Sequence, residues 1–560
     1  MLNLMTYSLP EELNQAFLTE TKKIIKENII SRIWARDSSV WTNDDEAQWL
    51  GWLDIVAEEL NDLQKYRDLR QDIDAAKFNN ILLMGMGGSS LCPEVLAITF
   101  VDNFHILDST VPAQVKAIES KLDMAKTLFI VASKSGSTLE PNCFKQYFFD
   151  RASQEVGAEN VGKQFVAITD PGSKMEEIAR EDGFRYIFQG KRDIGGRFSA
   201  LSAFGMAPAS IMGLDVERFL ESAREMVEAC KNENPQENPG AILGTILGIC
   251  HRNGRDKLTI FTSPEVYDLG AWLEQLIAES TGKNGVSIIP VDREPVLPAD
   301  HYGEDRIVVY LKLKSNADEE KIGAVRAAGH PFISIEIDDL YNLGQEFFRW
   351  EFATAVAGSI MGINPFNQPD VESAKIEARK ITDEYEQTGE LPEEIPFYEK
   401  NGIKLITNEE NAALLDQYVG EEKSLAKYLE AHLARLEEND YFALLAYIEM
   451  NTENEKALQA IREKVLETKL VATCLGFGPR FLHSTGQAYK GGGNNGVFLQ
   501  ITSDDETDLP VPGQKYTFGV VKSAQARGDF QVLLDNERRA LRLHLGDDVK
   551  DGLEKILSFM

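Results

Sequence analysis

The chain has 560 residues, enough for two or three domains, each with its own core. Hydrophobic residues make up 43% and charged residues 26%, the balance of an ordinary globular protein. With 58 basic against 90 acidic residues the net charge is −32, which argues against nucleic acid or an anionic membrane surface as partner, since both call for a basic face. A small phosphorylated ligand needs only local donors and stays open.

Residues 11–76 read as a charged helical segment that carries Trp34, Trp41, Trp49 and Trp52, a layer expected to dock on a core. From Asn79 to about Gly190, strand-like runs alternate with amphipathic helices: Ile81–Met84, His105–Leu107, Thr127–Ala132, Gln164–Thr169 and Tyr186–Gln189. That alternation predicts a doubly wound parallel sheet, with ligands at the carboxyl ends of the strands. Residues 200–253 read as helical. A second alternating set follows at Leu258–Thr262, Val286–Pro290, Ile307–Leu313 and Phe332–Ile337, then long helices near Tyr341–Ile360 and Val371–Thr388. A proline- and glutamate-rich connection opens the last third. Beyond it, strands are expected at Tyr441–Glu449, Leu470–Leu475, Val497–Ile501 and Tyr516–Val521, with a helix over 453–468 and a short closing helix. The predicted class is α/β: a helical segment 1–76, doubly wound parallel-sheet domains over 77–200 and 201–388, and a C-terminal α/β region over 389–560.

Two glycine- and serine-rich breaks stand out. Gly85-Met-Gly-Gly-Ser-Ser-Leu91 and Ser133-Lys-Ser-Gly-Ser-Thr-Leu-Glu-Pro141 each follow a buried strand and precede a helix. Free N–H groups, hydroxyls and the helix dipole at such a start favour an anion. Arg197, in Gly195-Gly-Arg-Phe-Ser-Ala-Leu-Ser202, sits in a glycine turn where a fixed guanidinium can hold a developing oxyanion, or is simply an exposed helix-start arginine. Glu279, in Glu279-Ser-Thr-Gly-Lys283, ends a helix and can serve as a base if partly desolvated; the bland alternative is a surface pair with Lys283. Gln368 and Lys375 lie in a proline-broken helix start, and His483 is the one histidine of seven among glycines and small polar residues. Cys92, Cys143, Cys230, Cys250 and Cys474 show no CxxC or Cys/His metal spacing, so they are read as core thiols of a cytoplasmic protein with no metal. Residues 1–12 lack the pattern of a signal peptide, and no apolar run reaches membrane-spanning length.

Taken in order, these stretches, with Asn367-Gln-Pro-Asp-Val-Glu-Ser-Ala-Lys375, resemble the phosphoglucose isomerase family, whose two halves are sugar-isomerase (SIS) domains. The resemblance covers about residues 80–380. Trp34-Ala-Arg-Asp-Ser-Ser-Val-Trp-Thr42 and Gly476-Phe-Gly-Pro-Arg-Phe-Leu-His-Ser-Thr-Gly-Gln487 look like the isomerase half of fused transaldolase–isomerase proteins. The resemblance implies reversible interconversion of glucose 6-phosphate and fructose 6-phosphate through a cis-enediol, with no cofactor. It implies Glu279 as base, Arg197 on the enediolate, and Lys375 and His483 in ring opening. It places the phosphate at Ser133, Ser135, Ser137 and Thr138, the sugar against Gly88, Ser89, Gln275 and Gln368, and Lys134 among the substrate-binding residues. A homodimer is implied, with a fused or associated transaldolase as further partner.

Two departures qualify the match. Gly136 and Ser137 make the phosphate loop more like other SIS domains. The family's ring-opening histidine falls between the base and the lysine, whereas here that interval holds only His301 and His330, outside the family's motif. Many relatives place the histidine directly after Gly-Gln, where this chain has Ala488. His483, beyond Lys375, is therefore expected to supply in space what relatives supply earlier in sequence. The family's histidine generally comes from the neighbouring subunit, so the subunit of origin here stays open. The alternatives are a non-catalytic SIS-type sugar-phosphate sensor, an isomerase that also takes mannose 6-phosphate, and a scaffold for a separate transaldolase.

Overall fold

The structure is a computed structural model that describes residues 1–314 and 319–560. The chain opens on a strand, β1 (Leu4–Ser8), before the helices expected of its N-terminal segment. The first sheet follows: β2 (Asn80–Met84), β3 (Phe104–Leu107), β4 (Thr127–Ala132), β5 (Phe165–Thr169) and β6 (Tyr186–Gln189). Its order is β3-β2-β4-β5-β6 and every pairing is parallel. β4 is buried at every position, as its unbroken apolar run requires of a strand covered by helices on both faces.

The second sheet comprises β7 (Lys257–Thr262), β8 (Ile289–Asp292), β9 (Arg306–Leu313) and β10 (Phe332–Ile337), in the order β1-β10-β9-β7-β8. β1 runs antiparallel to β10, from Leu4 opposite Glu336 to Ser8 opposite Phe332. The N-terminal segment is thus not purely helical. Its first residues cover what would otherwise be the open edge of a sheet whose other strands all come far later in the chain. β8 begins later than the apolar run at Val286 suggests. Asn284 and Gly285 both have positive φ, and Lys283 bridges Val286 across them, so these residues form a tight Asn-Gly turn ahead of the strand.

The third sheet holds β11 (Tyr398–Lys400), β12 (Ile403–Ile406), β13 (Tyr441–Tyr447), β14 (Ala472–Phe477), β15 (Gly496–Thr502) and β16 (Arg539–His544). Its order is β11-β12-β16-β15-β13-β14, with an antiparallel hairpin on a parallel body. The strand expected at Tyr516–Val521 is absent. Thr517 caps a helix, Phe518–Asp535, by accepting from the Val520 N–H. Most residues of this helix are buried, so its apolar run follows no single face and its first turn imitates a strand.

The tryptophans dock as expected. Trp52 is fully buried, Trp41 donates to Ala355 O at 2.8 Å and Trp34 to Cys230 O at 3.0 Å. The third unit is joined to the rest by buried polar contacts. Glu294 accepts from Arg306 at 2.8 Å and from the Thr473 N–H at 2.8 Å, and Arg462 donates to Asp292 O at 3.0 Å. The helix Pro369–Thr388 lies against Phe518–Asp535 so closely that a Cβ at Gly528 would meet Ala378 N at 2.7 Å. All five cysteines are buried and unpaired, and among the described residues no helix is long and apolar enough to cross a membrane.

Candidate active site

The two glycine-rich turns converge with parts of the chain far away in sequence. After β2, Gly87 takes a positive φ, and a Cβ there would fall 2.7 Å from Gln275 Nε2 and 2.8 Å from His483 O. A Cβ at Gly88 would stand 2.0 Å from Gly196 O. The turn carrying Gly88 and Ser89 therefore presses directly on the turn carrying Arg197.

Arg197 is buried, and every arm of its guanidinium is engaged. Nε donates to Ser280 Oγ at 2.7 Å and Nη2 to the carbonyls of Pro365 at 2.7 Å and Asn367 at 3.0 Å. Nη1 donates to Glu279 Oε1 at 3.1 Å and to Gln368 Oε1 at 3.0 Å. Burial pulls this guanidinium below its usual value while the Glu279 carboxylate works against it, but an arginine remains charged. Glu279 lies in the last turn of the helix Leu269–Thr281, and Gln275 is one turn earlier on the same face. Gln275 Nε2 donates to Glu279 Oε2 at 3.0 Å and to His483 O at 2.8 Å. Both oxygens of the candidate base are thus held.

His483 ends the 3₁₀ turn that follows β14, and so comes from the third sheet of the same chain. Its Nε2 lies 2.8 Å from Glu140 Oε1. With a carboxylate there, Nε2 carries a proton, and Nδ1 is the ring nitrogen left to exchange one. Burial pushes the Glu140 carboxyl up, but the charge and hydrogen bond of His483, with Lys375 beyond, leave it below its usual value. The glutamate stays ionised.

The phosphate-cradle candidates form a compact loop. Ser135 and Ser137 hydroxyls are 3.0 Å apart, the Ser137 N–H donates to Ser135 Oγ at 3.2 Å, and Thr138 stands at the N-cap of the helix Leu139–Val156. Ser133 Oγ is buried without a hydrogen-bond partner. Two expected residues are placed differently. Lys134 turns away from the helix start; its Nζ donates to Asp170 Oδ1 and Lys191 O, each at 2.8 Å. Lys375 stays outside the buried network, half-exposed and paired with Glu372 at 2.8 Å. Lys283 does not form a surface pair with Glu279. It is buried, donates to Asn364 O and Asn367 O, and fixes the segment that presents Gln368.

Several members of this network were not singled out from the sequence. Glu140 had a visible signal, an acid in the first turn after the serine loop, but one shared with any favourable helix start. Gln487 accepts from the N–H groups of Asp370 and Val371 at 2.9 and 3.1 Å and donates to Gly282 O at 2.8 Å. It therefore ties the start of the Lys375 helix to the end of the Glu279 helix. Thr110, Gln525 and Ser280 also enter through the fold alone.

Residues 51–293 match the family model described as phosphoglucose isomerase. This stretch of the chain belongs to the phosphoglucose isomerase family. The chain is 28% identical over 369 residues to a probable glucose-6-phosphate isomerase of Methanococcus maripaludis, covering 58% of this chain and 82% of that one. It is 29% identical over 365 residues to the glucose-6-phosphate isomerase of Methanocaldococcus jannaschii, covering 58% and 88%. Among solved structures, a hypothetical protein of Thermus thermophilus superposes with a TM-score of 0.59 at 23% identity, over 67% of this chain and 99% of that one. A glucose-6-phosphate isomerase from Chlamydia trachomatis gives 0.54 at 20% identity, over 69% and 89%. At those identities the two structures speak for the fold, which phosphoglucose isomerase shares with this chain.

Proposed function

We propose that the chain is a glucose-6-phosphate isomerase that works without a cofactor. The observation that carries this reading is the convergence of Glu279, Arg197 and Gln368 in one bonded cluster, joined through Gln275 to His483. The dianionic phosphate binds at the Ser133–Thr138 loop, where N–H groups and hydroxyls point out of a helix start. His483 passes a proton from the anomeric hydroxyl to the ring oxygen through Nδ1, opening the ring, and Lys375 assists at the mouth of the site. Glu279 then takes the proton from C2 of the aldose and returns it to C1, while the hydroxyl proton of O2 passes to O1, which leaves the carbonyl at C2. Between the two transfers the charge of Arg197 stabilises the enediolate, its guanidinium already fixed and desolvated, so little reorganisation accompanies charge development. Gly88, Ser89, Gln275 and Gln368 line the sugar.

The assembly proposed is a cytoplasmic homodimer, with a transaldolase fused to it or associated with it. Sedimentation of the purified chain, alone and after co-expression with a transaldolase, reads both points. The activity is tested by a coupled assay of fructose 6-phosphate to glucose 6-phosphate. An active wild type beside an inactive, folded Glu279→Gln protein supports the reading. An inactive wild type that still binds the sugar phosphate overturns it in favour of a sensor.

A further inference from the structure

We infer that Gln525, with Thr110 behind it, is a positioning residue that sets the basicity of the Glu140–His483 pair; this rests on the isomerase reading above. Gln525 lies on the helix Phe518–Asp535, well beyond the matched family stretch, which ends at residue 293. Its Nε2 donates to Glu140 Oε1 at 2.6 Å, the same oxygen that accepts from His483 Nε2 at 2.8 Å. Its Oε1 accepts from Thr110 Oγ1 at 2.7 Å. All three side chains, Thr110, Glu140 and Gln525, are buried.

The orientation of the amide follows from its neighbours. The reverse orientation would set Oε1 against a carboxylate, so the amide nitrogen faces Glu140 and the Thr110 hydroxyl fixes the other end. A carboxylate that accepts two hydrogen bonds on one oxygen is held in its ionised form and is a weaker proton acceptor than one that accepts a single bond. Gln525 therefore restrains Glu140 from taking the imidazole proton and from over-stabilising the imidazolium. A proton taken up at Nδ1 is then released more readily to the substrate. The other charged or titratable groups around Glu140 are Lys375, Cys143 and Tyr447. Burial pushes the Cys143 thiol up to about 12 and the Tyr447 phenol well above its usual value, so neither titrates in the working range.

The test compares wild type, Gln525→Leu, Thr110→Val and His483→Ala in two measurements. One is enzyme-driven exchange between the anomers of glucose 6-phosphate, read by NMR; the other is the pH profile of kcat and KM. Without the amide donor, Glu140 holds the imidazolium more tightly, and the acid limb of the profile moves to higher pH by about half a unit. Anomer exchange slows about tenfold in Gln525→Leu while KM stays within about twofold. Thr110→Val shifts both readouts the same way by less, and it carries the test if Gln525→Leu does not fold. An unmoved acid limb in both variants, beside a slowed His483→Ala, overturns this inference alone. Anomer exchange that is unchanged in His483→Ala overturns the ring-opening assignment, and this inference with it.

Discussion

One helix, Leu269–Thr281, presents two glutamates to opposite surroundings. Glu279 and Glu274 are five residues apart and so point about 140° away from each other. Glu279 meets a buried guanidinium at 3.1 Å and an amide donor at 3.0 Å, and its charge is matched atom by atom. Glu274 faces a small cavity of about 70 Å³ shared with Asp268, Asp292, Arg293 and Arg462, between the second and third sheets. There burial pushes the Glu274 carboxyl up to about 8, Asp292 and Asp268 push the same way, and the two arginines only partly oppose them. Asp292 rises to about 6 by burial, with Asp268 adding to it. The same residue type on one helix becomes a candidate for proton transfer on one face and a stored proton on the other. Burial drives the Glu274 shift and its arginine neighbours offset it only in part, whereas a guanidinium and an amide donor touch Glu279 directly.

The sharpest way to break this comparison is to neutralise both glutamates in turn. Glu279→Gln is expected to lower kcat by about 10³, whereas Glu274→Gln, which replaces a group already protonated near neutral pH, leaves kcat within about twofold. Comparable losses in the coupled assay would erase the distinction. Next in size is Arg197→Lys. A point charge cannot reproduce a fork that bonds Glu279, Gln368, Ser280 and two carbonyls, and kcat is expected to fall about 10²-fold.

The other face is tested by pH. The raised Glu274 carboxyl keeps in the folded state a proton that the unfolded chain releases near pH 4. Its contribution to stability is fully present below that value and is lost as pH rises through about 8. Thermal unfolding from pH 5 to 9 should show a midpoint that falls toward alkaline pH in the wild type and falls less steeply in Glu274→Gln. The smallest effect belongs to Gln487→Leu. It removes a cap on the Lys375 helix worth about 1–2 kcal/mol and should lower the urea midpoint while sparing the pH profile.

Much of the architecture is legible because it rests on local rules. The buried apolar runs at Thr127–Ala132 and Ile307–Leu313 suit only covered strands, and both are strands. The reading fails where a long-range neighbour decides the outcome. β1 is a strand only because β10 offers it an edge. The Phe518–Asp535 helix is enclosed, so its buried residues follow no single face and its first turn reads as β. At the site, Arg197, Glu279, Gln368 and His483 sit in turns and helix ends, Gln275 is implied by the family resemblance alone, and the five do converge. Lys134 shows the limit of spacing: its loop position points to the substrate, but Asp170, 36 residues on, takes its ammonium. Gln525 and Glu140 are 385 residues apart, and no local pattern announces their bond.

His483 and Glu279 belong to one polypeptide, joined through Gln275. The encounter between imidazole and carboxylate is therefore governed by an effective concentration fixed by folding, not by how much protein is in solution. Specific activity should hold level through serial dilution, even where subunits part company. A point mutation in the third sheet should act as an intramolecular defect that no intact second chain repairs in a mixed population.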